Sequence, residues 1–298
     1  MNLETPWQTG RLDAAQGPHR LLFGQMYEDA EIEREAFNTP GRIFCIASAG
    51  DTAMLLSQQH EVVACDINPV QLAYARRHAA GAPREIGDAD RAMGFLRSFT
   101  PFTGWRKKQL QEFLALSDGP QQLDFWRSHL DTLRFRAGFV AMMSRPILRL
   151  MYSPQFLTAL PPHFGAVMRR RLEKGIARHP NAPNPYIHAL LLGTEISSPR
   201  AVASNIDFVS GDAVSVLESC PPQSFSGFTL SNILDGAAQT YRERLFRAVR
   251  RAAISDAVVI LRSFAEPLTS CSTDHSERDR SMLWGTVVIR RVAPSDCS

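Results

Sequence analysis

Several side chains able to hold a ligand or move a proton follow short apolar runs in this chain. Ala47, Ser48, Ala49, Gly50 and Asp51 close the run "RIFCIA". Asp66 closes "EVVAC", with Ile67 and Asn68 next. Gly211, Asp212 and Ala213 follow "IDFVS", and Ser231 and Asn232 follow "FSGFTL", with Asp235 close behind. Small residues after a strand let a ligand approach the backbone. An acidic residue about twenty positions beyond such a turn suits the hydroxyls of a ribose. Taken singly, each stretch has an ordinary reading: a tight turn, a helix cap for Asp66, a turn aspartate for Asp212. Taken together and in this order, they point to an adenosine-bearing cofactor. Neither GxxxxGK[ST] nor GxGxxG occurs, so phosphate cradling is not expected. Adenosine without phosphates suggests S-adenosylmethionine.

The elements that must carry these residues alternate. "RIFCIA" (42–47) reads as a buried strand, "DTAMLLSQQ" as a helix and "EVVACDI" (61–67) as a second strand. "NPVQLAYARRHAAG" reads as a helix, with Pro69 in its first turn and Gly81 beyond its end. Such alternation predicts an α/β fold with a parallel sheet. Residues 85–200 instead show helical spacing broken by prolines. The alternation resumes near 206, with strands in "IDFVS", "FSGFTL" and "DAVVILRSF" and a last strand or hairpin in "SMLWGTVVIRRV". Before all of this, "LFGQMYEDAEIEREAF" reads as a helix.

The stretches "LLFGQMYEDAEIEREAF", "IASAGDTAMLL", "VVACDINPVQLAYARR", "TLSNILDG", "VVILRSFAEP" and "RDRSMLWG" resemble the betaine-lipid family of S-adenosylmethionine:diacylglycerol 3-amino-3-carboxypropyl transferases. The resemblance implies a Rossmann-like class I methyltransferase sheet with a large helical insertion between the second and third strands. It implies an S-adenosylmethionine-binding α/β domain over 1–88 and 201–298, and an inserted helical acceptor-binding subdomain over 89–200. It also implies transfer of the 3-amino-3-carboxypropyl group to a hydroxyl or amine, with diacylglycerol as the family's acceptor. Methyl transfer to a small molecule, and cofactor binding without turnover by a sensor or partner subunit, stay open beside it.

By position in that pattern, Ala47, Ser48, Ala49 and Gly50 would line the cofactor's amino-acid and ribose side. Asp66 would hold the ribose hydroxyls, Ile67 would cover the adenine, Asp212 and Ala213 would meet its edge, and Asn68 would belong to the same cofactor site. Ser231 and Asn232 fall in the loop after the fourth strand. Asp235 is the candidate base or acceptor-binding residue, or else a helix cap. Tyr27, Glu28 and Asp29 could grip the cofactor's ammonium, or belong to a solvated helix face. Arg262 and Arg280 could bind a carboxylate bidentately, or form structural ion pairs.

Composition narrows the class further. The net charge of +3 is too mild to argue for nucleic acid. Five cysteines without CxxC or metal-ligand spacing suit a reducing, cytoplasmic setting, with Cys45 and Cys65 as buried thiols. His163, His179 and His188 form no metal pattern. No run reaches the ~18 apolar residues of a membrane span. Peripheral contact with a membrane stays compatible with the basic helix "MRRRLEKGIAR". The apolar "FVAMMSRPILRLMYSPQFL" reads either as helical core or as the lining of a greasy acceptor site.

Overall fold

The computed structural model describes residues 4–196, 205–267 and 274–292; the domain junction at 200/201, Cys271 and Cys297 lie outside them. In chain order the first elements are α1 (Glu31–Ala36), β1 (Arg42–Ile46), α2 (Asp51–Leu56), β2 (Glu61–Asp66) and α3 (Pro69–Ala79). A helical stretch follows: α4 (Asp88–Ser98), α5 (Lys107–Leu114), α6 (Gly119–Phe125), α7 (Leu133–Met142), α8 (Arg145–Met151), α9 (Pro154–Leu157), α10 (Phe164–Arg178) and α11 (Pro185–Leu192). The chain then returns to β3 (Ile206–Ser210), α12 (Ala213–Ser219), β4 (Phe225–Thr229), α13 (Gln239–Ala252), β5 (Ala253–Ser263) and β6 (Thr286–Arg291). The strands form one sheet in the order β3-β2-β1-β4-β5-β6. All neighbours are parallel except β5 and β6. The protein is therefore α/β, with a mostly parallel six-stranded sheet compatible with a Rossmann-like fold.

The strands read as nearly unbroken apolar runs because helices cover both faces of the sheet. Phe44, Val63, Phe228 and Val259 pack on one side against Leu217 of α12 and Leu245 and Val249 of α13. Ile43, Cys45, Val62 and Ala64 pack on the other against Ala53 and Leu56 of α2 and Leu72 and Ala75 of α3. Buried α13 residues Tyr241, Leu245, Ala248, Val249 and Ala252 fall on one helical stripe. The helices between β2 and β3 have a core of their own, built on Phe113, Trp126, Leu130, Phe135, Ile176 and Ile187.

The N-terminal segment departs from expectation. Only Glu31–Ala36 is helical, whereas 22–30 is irregular. Side chains from elsewhere take up its backbone groups. Gln71 accepts from the N–H groups of Leu22 and Phe23 and donates to the Phe23 carbonyl. Asp90 accepts from Gly24 N–H and Asp51 from Met26 N–H, while the Tyr74 hydroxyl donates to the Gly24 carbonyl. Farther along, Trp284, Tyr186 and Arg262 donate to the carbonyls of Tyr27, Glu28 and Asp29. A segment whose peptide groups are satisfied this way gains nothing by coiling.

Candidate functional site

β1 and β4 are neighbours at the centre of the sheet, and the chain departs to opposite sides from their carboxyl ends. A crevice opens at such a switch point. Ser48 and Ser231, each two residues beyond its strand, both adopt left-handed backbone, with φ of 44° and 50°. Non-glycine residues held there carry local strain, and such outliers gather at binding sites. Ser48, Asp66, Ile67, Asn68, Asp212, Ala213, Ser231 and Asn232 line one cleft, of about 630 Å³ with its open mouth included. Thus eight residues singled out from the sequence come together across four strand ends. Ala47, Ala49 and Gly50 lie behind it: both alanines are buried, and Gly50 opens α2 with φ of 95°.

Asp66 sits at the end of β2. Its carboxylate accepts from the N–H groups of Ser48 and Asn68, at 3.1 and 2.9 Å. Burial nevertheless dominates over these two bonds and lifts its pKa to about 7. Asn68 caps α3 through the N–H groups of Val70 and Gln71 and donates to the Arg20 carbonyl. Gln71 donates to the Ser48 carbonyl as well as holding the 22–23 segment. The D-x-N-P-x-Q motif is therefore a frame that fixes the cleft floor. Asp212 caps α12 and also accepts from the Tyr241 hydroxyl at 2.6 Å. Tyr241, Trp7 and Phe23 line the cleft without having stood out in the sequence. Gln71 lies within the quoted stretch "VVACDINPVQLAYARR" but has no assigned role there, and Tyr241 lies on the buried stripe of α13.

A second cavity, about 1200 Å³ including its mouth, adjoins the first. Trp7, Phe23, Ser48, Ser231 and Asn232 line both. Its other walls are apolar and rich in methionine: Met26, Met93, Met142, Met143, Met151 and Met168 face it. Unbranched, polarisable methionine fits irregular apolar guests. The "FVAMMSRPILRLMYSPQFL" stretch supplies several of these walls as well as helical core. Tyr27 and Glu28 line this cavity, and Glu28 is the one charged residue among its described lining.

Glu28 is buried, and its Oε1 accepts a short hydrogen bond from the Ser231 hydroxyl. Its Oε2 lies 3.5 Å from the Arg262 guanidinium. Burial is the largest influence and raises its pKa to about 7, against the opposing pull of Arg262. Arg262 restrains Glu28 only weakly because its fork is already taken. Both terminal nitrogens of Arg262 bind Glu33, and its Nε lies 3.3 Å from Asp279. Thr229 adds a hydrogen bond to Glu33 at 2.9 Å. The Arg262 side chain has no exposed surface, so it fastens the 28–33 segment to β5 and to Asp279 and is not placed to bind a substrate carboxylate. Arg280 and Asp29 likewise bind each other bidentately, at 2.5 and 2.6 Å. Arg262→Met would leave three buried carboxylates without their shared cation, and we expect a loss of about 3–5 kcal/mol in a urea melt.

Asp235 also has a holding role. It is 3% exposed and accepts from Ser263 Oγ, Phe264 N–H and Asn232 Nδ2 at 2.5, 3.1 and 3.3 Å. Those bonds join the loops after β4 and β5 and orient Asn232, which faces both cavities. Asp235, the candidate base of the sequence, lines neither cavity, whereas Glu28 lines the apolar one. Among the described residues, neither cavity is lined by lysine, arginine or histidine. Among the described residues, no helix is long and apolar enough to cross a membrane. The chain matches no protein-family model and no curated protein sequence.

Proposed function

We propose that the protein is an S-adenosylmethionine-dependent transferase of the 3-amino-3-carboxypropyl group, acting on an apolar acceptor with a hydroxyl or amine. On this reading the sheet is a class I methyltransferase-type core, residues 89–200 are an acceptor-binding insertion, and the chain is a relative of the betaine-lipid enzymes. The observation that carries it is the charge of the paired cavities. Asp66 and Asp212 line the cleft, Glu28 lines the apolar cavity, and among the described residues no cationic side chain faces either. That donor set opposes phosphates and favours a cationic, adenosine-bearing sulfonium. Trp7 and Phe23, at the junction, offer aromatic faces to such a cation.

Bound S-adenosylmethionine supplies an electrophilic carbon whose bond to sulfur breaks, with the electron pair, as the acceptor's oxygen or nitrogen bonds to it, releasing neutral methylthioadenosine. The protein then has two tasks. Asp66 accepts the ribose hydroxyls and so fixes the cofactor's register along the cleft. Glu28, whose Oε2 has no hydrogen-bond donor, takes the acceptor's proton as general base; Ser231 and Arg262 hold its carboxylate in place. The apolar cavity excludes water, which would otherwise compete as nucleophile.

The test is the product formed from S-adenosylmethionine labelled in its methionine arm, incubated with the protein and dispersed diacylglycerol. Methylthioadenosine with the label moving into the lipid is the expected result. S-adenosylhomocysteine in its place would assign methyl transfer. Cofactor binding without either product would assign a sensor or partner subunit.

A further inference from the structure

Three helices around the apolar cavity break the usual division between an apolar inner face and a polar outer one. Ala89, Met93 and Leu96 of α4 face the cavity, yet Phe95 and Phe99, across the same segment, are exposed. Met142 of α7 faces inward, while Leu133 and Val140, seven positions apart on the outer stripe, are 81% and 49% exposed. Leu148 and Met151 of α8 face inward, while Leu150 is 76% exposed. Phe102, in the turn after α4, is 75% exposed and its ring continues the Phe95–Phe99 contact. The Thr132 hydroxyl donates to the Thr103 carbonyl, which ties the start of α7 to that turn. A helix apolar on both sides needs a second apolar partner.

The charges on α7 and α8 are of one sign. Residues 133–151 contain Arg134, Arg136, Arg145 and Arg149 and no acidic residue. Arg136 is paired with Asp131, but Arg134, Arg145 and Arg149 are exposed and in no ion pair among the described residues. In the basic helix α10, Arg169 binds Asp131, Arg171 binds Glu266 and Arg178 binds Glu277, while Arg170 and Lys174 are exposed.

We propose that the outer faces of α4, α7 and α8, with the turn at Phe102, are a docking surface for an anionic lipid bilayer. Apolar side chains among unpaired arginines match the acyl boundary and the negative headgroups respectively. The surface stands on the exposed faces alone. Its use, passing an apolar acceptor from the bilayer to the cavity behind the same helices, rests on the transferase reading.

Co-sedimentation with phosphatidylcholine vesicles, with and without phosphatidylglycerol, tests it on the full chain. The wild type is expected to bind the anionic vesicles and to bind the neutral ones about tenfold or more weakly. Phe102→Ser/Leu133→Ser/Leu150→Ser should lose binding to the anionic vesicles, as should Arg145→Glu/Arg149→Glu, with the melting curve and S-adenosylmethionine titration of the wild type retained. None of these residues lines either cavity, so folding and cofactor affinity serve as controls. Equal binding to both vesicle types, or wild-type binding by the triple serine variant, would overturn the proposal. So would a dimer in sedimentation velocity that the same serines disperse, since a second copy would then own the face. Vesicle binding without any affinity for S-adenosylmethionine would refute the transferase reading and leave the docking surface standing.

Discussion

Glu28→Gln is expected to bind S-adenosylmethionine as the wild type does and to lose transfer by about 10²–10⁴-fold, the range of a general base. The glutamine keeps the shape and can still accept from Ser231, so the loss reports the missing proton acceptor. The same group sets a pH dependence. Its pKa in the folded protein is about 7, against an ordinary 4.5. The rate at saturating cofactor should therefore rise with pH through about 7 in the wild type, and this rise should vanish in the variant. The sign for stability runs the other way. A carboxyl whose folded value is raised contributes stability that is full below its unfolded value and lost as pH climbs through the folded one. Glu28→Gln, always neutral, should melt with the wild type in acid and above it in alkali, by about 3 kcal/mol at most. A variant with full activity, or one that melts lower than wild type at every pH, would remove Glu28 from the role.

Asp66→Asn is expected to weaken S-adenosylmethionine binding by about 10²-fold, because hydrogen bonds to a buried charged group contribute roughly 1.5–3 kcal/mol each. Calorimetric titration measures it. In the wild type the ribose hydroxyls need the ionised carboxylate, whose pKa without cofactor is about 7. Affinity should thus fall as pH drops through about 7, and the asparagine variant should be flat over the same range. Asp212→Asn should matter less, since Asp212 already caps α12 and accepts from Tyr241. If the two aspartates proved interchangeable, the orientation of adenosine along the cleft would have to be reversed.

The two predictions separate the two halves of the site. On the proposed reading Asp66 would act in the cleft and govern affinity, and Glu28 would act in the apolar cavity and govern rate. The link between them is Ser231, whose left-handed backbone turns its hydroxyl onto Glu28 while it lines both spaces. Gly might seem the easier residue at that φ, but it would leave Glu28 Oε1 without its donor. This gives the local strain a chemical use.

The strands around Ile43, Val62, Phe208, Phe228 and Val259 were legible in the sequence by themselves, because a parallel sheet covered on both faces demands short runs of apolar, often branched residues. The strand ends followed, and with them Ser48, Asp66, Asp212 and Ser231, since a crevice forms where neighbouring strands send the chain to opposite sides. The direction of charged side chains was not legible. Whether Arg262 meets a ligand or Glu33 depends on segments more than two hundred residues apart in the chain. The irregular course of 22–30 was hidden for the same reason: Gln71, Asp90, Asp51, Trp284 and Tyr186 satisfy its backbone from a distance. Local pattern reports what a segment prefers when its hydrogen bonds are its own. Only the tertiary structure, by supplying partners from elsewhere, decided that Glu28 faces a cavity, that Asp235 joins two loops, and that α7 exposes Leu133 and Val140.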